Sequence, residues 1–202
     1  MSDKFDSSHL ENRSLDKDFS VSPNISFSAT IDLTYKLLER LEHTHDNDDS
    51  LITSIIAQLL QTRVGARGFL ATYLTYGGAI ADNPPTAFIE ALQTAPTLVA
   101  DLMVKNLAMS SAMIIAHQRK NDLENVSGSQ RVQNRTRELI AALSTQELSG
   151  AIKAMLSSLK GLSEQYRAFF QQQQYDAEQR HEIQRVLTAL IATRKDVTNE
   201  RT

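Results

Sequence analysis

Leu148, Ile152, Met155, Leu159, Leu162, Tyr166 and Phe169 follow one another at intervals of 4, 3, 4, 3, 4 and 3 residues. A strand brings every second residue to one face, whereas a helix brings back every third or fourth. This spacing therefore predicts a long helix with an a/d seam packed lengthwise on a partner. Gly150 and Gly161 oppose it, each costing about 1 kcal/mol relative to alanine in a helix interior. Burial of seven large side chains at roughly 1.5–3 kcal/mol each outweighs them, with Gly161 kept as a candidate break.

The same rhythm runs through the rest of the chain. Ile31, Tyr35 and Leu38, flanked by Leu37 and Leu41, repeat at helical spacing, as do Ile52, Ile55, Ile56 and Leu59. Phe69, Leu70, Tyr73 and Leu74 continue it, Phe88, Ile89 and Leu92 mark a short helix, and Pro96 opens another that runs to about Lys120. Leu139, Ile140 and Leu143 precede the seam, and Ile183, Val186, Leu187, Leu190 and Ile191 form a last helix. No stretch alternates as a half-buried strand does. The expected fold is an all-α multi-helix bundle with a long C-terminal heptad-bearing hairpin, residues 145–173 against 176–194, and a disordered N-terminal tail. The expected divisions are a polar tail at 1–28, a helical core at 29–120, a linker at 121–129, the hairpin at 130–197 packed on the core, and a short tail at 198–202.

Local signals refine the ends. Asp49 or Ser50 is placed to cap the second helix, Ser144 with Glu147 fits a capping box, and Asp176 with Gln179 offers another. Four of the seven glycines fall between Val64 and Pro85. Gly65 and Gly68 are read as close helix contacts, and Gly77 and Gly78 as a left-handed helix end.

Composition excludes several functions. The 202 residues carry 24 acidic and 21 basic side chains, a net charge of −3, which gives no general attraction to nucleic acid or anionic membrane. Without cysteine there are no disulfides, thiolate metal sites or cysteine nucleophiles. The first residues lack the apolar core of a signal peptide, and Asp101, Lys105 and Asn106 interrupt the most apolar region. A cytoplasmic protein without a membrane span is expected.

Three places could carry chemistry. His43, His45 and Asp46, with Asp48 and Asp49, supply zinc- or manganese-type ligands. Two histidines at i, i+2 share no helix face, so the segment is read as a solvated loop, with no cofactor expected. "GARGF" at 65–69 has neither the lysine nor the preceding strand of a phosphate loop. Arg119, Lys120, Arg131, Arg135 and Arg137 form a moderately basic region without aromatic residues for base stacking. It suits an acidic protein partner better than nucleic acid. Ser157 and Lys160 match S-x-x-K without its companion motifs.

"TYLTY" at 72–76, Asn83-Pro84-Pro85 and "APTLVADLM" at 95–103 resemble the small helical Rubisco assembly chaperones of cyanobacteria, and residues 66–140 resemble cyanobacterial helical proteins of unassigned function. The likeness implies a homodimer whose groove holds a client peptide. The functional expectation is a non-enzymatic scaffold, adaptor or assembly factor, with a protein partner or a homo-oligomer joined through the 148–169 seam. The alternatives are a metal-dependent or small-molecule enzyme at His43 and His45, and a nucleic-acid regulator at 119–137.

Overall fold

A computed structural model of the chain describes residues 19–43 and 48–199. Among these, nine α-helices and one 3-10 turn account for the regular structure, with no strand. The helices are α1 (Phe27–His43), α2 (Asp49–Leu59), α3 (Arg63–Thr75), α4 (Thr86–Gln93), α5 (Pro96–Arg119), α6 (Leu123–Leu143), α7 (Gln146–Leu159), α8 (Arg167–Gln173) and α9 (Ala177–Asn199). They fall into two compact units that divide between Ala95 and Pro96, not across the expected linker.

In the first unit, α1 packs on α3 and α2 packs on α4. The described part of the expected tail is folded: Phe19 is buried, Ser22 and Ile25 close a turn, and Ser26 caps α1 by accepting from Ala29 N at 3.2 Å. Residues 1–18 lie outside the described residues. Asp48, rather than Asp49 or Ser50, caps α2, because its extended backbone aims the carboxylate at Leu51 N, 3.1 Å away. Thr62 caps α3 through Gly65 N at 3.0 Å.

Two glycines make these contacts feasible. A Cβ on Gly65 would stand 2.1 Å from the Leu59 carbonyl oxygen, and one on Gly68 would stand 2.6 Å from Thr30 Cγ2. Gly65 thus permits the tight α2–α3 turn, and Gly68 permits the close α1–α3 approach. Gly77 and Gly78 correct the sequence reading, since neither has a positive φ. Gly78 is extended (φ −86°, ψ 165°) and makes room for the Glu42 carboxylate. The core around them is aromatic. Phe69, Tyr73 and Phe88 have ring centroids 5.5–6.0 Å apart, and the buried Tyr73 hydroxyl donates to Ala81 O at 3.0 Å.

In the second unit α5 is the shared spine, contacted by α6, α7 and α9. It is long and apolar enough to cross a bilayer by length and composition, and 61% of its apolar window is buried within the protein. Buried polar bonds tie its neighbours to it. Gln133 Nε2 donates to Ser111 Oγ at 2.9 Å, and Gln179 Nε2 donates to Ala112 O at 3.1 Å.

The expected linker at 121–129 is helical from Leu123 onward. Asp122 caps α6 by accepting from Asn125 N at 3.2 Å, while Asn121 turns the chain with φ 53°. The Ser-Gly-Ser composition that suggested a loop lies on the helix, where Val126 supplies a buried contact. The capping box at Ser144 also shifts. Ser144 ends α6 in the left-handed region, and Thr145 caps α7 through Leu148 N at 3.3 Å.

The continuous seam helix is corrected as well. It stops at Leu159, turns at Gly161 (φ +73°) and resumes as the short α8. Ser158 Oγ, which accepts from Tyr166 N at 3.1 Å, stabilises the break. Asp176 and Gln179 do form their reciprocal box, at 3.0 and 3.1 Å.

Candidate functional site

The most distinctive surface lies in the first unit, where α1 and α3 run side by side in the same direction. Gly68 meets Thr30, Tyr35 meets Tyr76, and Glu42 reaches Ala79. Between them is an open trough of about 440 Å³, lined by Phe27, Ile31 and Tyr35 on one side and by Ala71, Thr75 and Tyr76 on the other. Phe27 is 42% exposed and Tyr35 is 50% exposed, large areas for aromatic residues on a folded surface.

The spacing of Phe27, Ile31 and Tyr35, four and four, sets them in one row along α1. Leu37, Leu38 and Leu41, on the adjoining face of the same helix, fill the core. Spacing alone groups Ile31, Tyr35 and Leu38 as one apolar stripe. That stripe is wide enough to have two destinations, and Tyr35 faces outward.

Polar groups mark the two ends. At the start of α1, the Arg67 guanidinium lies 5.8 Å from the Phe27 ring centroid. At the other end the Tyr35 and Tyr76 rings meet edge to face at 5.5 Å. Glu42 Oε1 accepts from Ala79 N at 2.8 Å, while its buried Oε2 has no hydrogen bond among the described residues. Burial, together with the charges of Glu42 and Glu39 and the neighbouring Tyr35, pushes the Tyr76 phenol up from its ordinary value. The trough's threonine hydroxyls are already engaged: Thr72 donates to Gly68 O at 2.9 Å and Thr75 to Ala71 O at 2.7 Å. The trough therefore presents apolar contact area, ring faces and end charges.

The residues singled out from sequence scatter. His43 is exposed at the end of α1, while His45 and Asp46 lie outside the described residues. Among the described residues no group of three His, Asp or Glu side chains could hold a metal ion. Leu148, Ile152, Met155 and Tyr166 are buried, Leu159 and Phe169 are half-buried, and Leu162 is 78% exposed. The break at Gly161 divides the row, and Phe170 takes the inward position expected for Phe169.

The basic residues also separate. Arg119 Nη1 donates to Asp176 Oδ2 at 2.5 Å, and Arg119 also pairs with Glu178. These bonds raise the Arg119 pKa, and the Arg119 hydrogen bond holds Asp176 down at about 2. Arg135 is buried, Arg137 is half-buried, and Lys120 and Arg131 are exposed. Five basic side chains close in sequence thus do not make one basic surface.

No curated protein and no solved structure matches the chain, so neither comparison supports the likeness to Rubisco assembly chaperones or a cyanobacterial source. The family described as uncharacterised conserved protein UCP020893 matches residues 26–190, from the cap of α1 into α9, and the chain belongs to that family.

Proposed function

We propose that the protein is a non-enzymatic helical interaction protein, a scaffold, adaptor or assembly factor, that engages a protein partner through helix–helix contact at the α1–α3 trough. The observation that carries this reading is the outward row of Phe27 and Tyr35 beside Tyr76, on helices whose adjoining apolar faces are already buried in the first unit. Exposed aromatic residues clustered in a depression are characteristic of recognition surfaces. The 148–169 seam is a weaker candidate, because Leu148, Ile152, Met155 and Tyr166 are occupied inside the second unit. In the same reading α5 serves as a core helix, and the protein works in the cytoplasm. Pairing of Arg119 and burial of Arg135 weigh against the nucleic-acid alternative.

The test is affinity purification of the tagged chain from its native host, beside a Phe27→Ala/Tyr35→Ala double variant. Both residues are well exposed, so the variant should keep the helical circular dichroism of the parent. Polypeptides retained by the parent and lost from the variant are the expected result. An identical set from both proteins, or nothing retained by either, overturns the reading.

A further inference from the structure

We infer that the trough's occupant is an amphipathic helix of a partner protein that carries a lysine or arginine at the Tyr76 end of its apolar stripe. The inference rests on the interaction reading above and specifies its chemistry.

The geometry favours a helix. Phe27 to Tyr35 spans about 12 Å at 1.5 Å per residue, the length of roughly two helical turns. A furrow between two parallel helices accepts the side-chain ridge of a third. Two apolar residues four apart on the incoming helix would cover Ile31 and Tyr35 on one wall and Ala71 on the other, all of which line the trough. The threonine hydroxyls already bond to their own helix, so the floor asks nothing polar of the occupant.

Charge sets the polarity. Because α1 and α3 run the same way, both N-termini lie toward Phe27 and Arg67, and both C-termini lie toward Tyr76 and Glu42. Each helix contributes partial positive charge at its start and partial negative charge at its end. The last turn of α1 also carries Arg40 and His43, but the charges that act on Tyr76 are those of Glu42 and Glu39, and Arg67 stands at the first end. Glu42 Oε2 lies buried, 2.0 Å from where a Gly78 Cβ would be; the same Cβ would stand 2.5 Å from Tyr76 Cε1. A cation resting on the exposed side of the Tyr76 ring meets the ring's negative face, with the carboxylates and helix C-termini close by. An acidic group placed there is repelled by the same charges.

The experiment uses the full-length chain and three fluorescent stapled helices of about 16 residues. They share leucines at i and i+4 and differ at i+8, which is lysine, norleucine or glutamate. Anisotropy titrations give the order of affinity. The lysine helix should bind at least about fivefold tighter than the glutamate helix, the size expected of one exposed cation–π contact with added charge. Tyr35→Ala should weaken all three, whereas Glu42→Gln and, independently, Glu39→Gln should narrow the lysine-to-glutamate ratio. The Glu42→Gln side chain keeps an oxygen for Ala79 N, and Glu39 is exposed, so at least one variant reports on charge in a folded protein.

Equal affinity for the lysine and glutamate helices overturns the charge assignment, as does a ratio untouched by both substitutions. Absence of saturable binding up to about 1 mM overturns the helical occupant. In each case the native-host comparison still decides separately whether the trough engages any protein. A dimer by light scattering that dissociates on Tyr35→Ala would assign the trough to a second copy of this chain and also overturn the proposal.

Discussion

The two units use aromatic residues in opposite ways. In the first, Phe69, Tyr73 and Phe88 make an internal cluster, but Phe27, Tyr35 and Tyr76 remain along an open furrow. In the second, Tyr166, Phe170 and Tyr175 are all buried. The joints differ too. Gly65 and Gly68 bring the helices of the first unit together by removing side-chain bulk, whereas Gln133, Gln179 and Ser158 join those of the second by hydrogen bonds. Close approach of small residues leaves flanking large ones to stand proud. Joints padded by longer side chains enclose them. This is why an open furrow remains on the first unit while the heptad row of the second is largely consumed by its own packing.

The contrast can be tested by substitution. Ile152→Ala empties a fully buried position of α7 and should cost roughly 2–5 kcal/mol, read by denaturant unfolding and by faster amide exchange in α5 and α7. A cost below that range would mean that the second unit is less tightly packed than described. Gly68→Ala should cost about 1–3 kcal/mol, with faster exchange concentrated in α1 and α3, because the added methyl meets Thr30. If Gly68→Ala is neutral, the small-residue account of the first unit fails. Gly161→Ala should cost about 1–2 kcal/mol from its left-handed backbone alone, since nothing lies near the added carbon.

The Arg119 clasp adds a pH signature to the second unit. The Asp176 carboxyl is depressed from 3.8 to about 2 on folding. Its contribution is therefore present above pH 3.8 and is lost as pH falls through that interval. Thermal unfolding of the parent should drop across this window more steeply than that of Asp176→Asn, and parallel curves would remove the clasp from the account. The smallest effect is expected at Leu162→Asp, within about 0.5 kcal/mol, because the side chain is 78% exposed. A large loss there would restore the continuous seam.

Much of the helical architecture was legible. The helix expected from Pro96 to about Lys120 matches α5 within a residue at each end, and the Asp176–Gln179 box has the expected reciprocal bonds. Gly65 and Gly68 occupy the close contacts expected of them. Misreadings came where two local signals competed. Ser127, Gly128 and Ser129 look like a loop until the Asp122 cap and buried Val126 are set beside them. The even heptad spacing hid a turn because periodicity counts residues, not backbone conformation, and Leu162 keeps its place in the count while pointing into solvent. The trough was the least legible feature. Phe27, Ile31 and Tyr35 have the same spacing whether a neighbour covers them or not.

The sequence by itself determined that the described chain is helical, because the return of apolar residues every third or fourth place is a property of neighbouring residues alone. It also determined the Asp176–Gln179 cap, whereas the caps expected at Asp49 or Ser50 and at Ser144 fall to their neighbours Asp48 and Thr145. Only the tertiary structure decided that Leu38 lies inside while Tyr35 lies outside, and that Arg119 belongs to Asp176 and Glu178 more than fifty residues away. Burial and ion pairing depend on which surfaces meet across long separations in the chain, and no local period encodes that meeting.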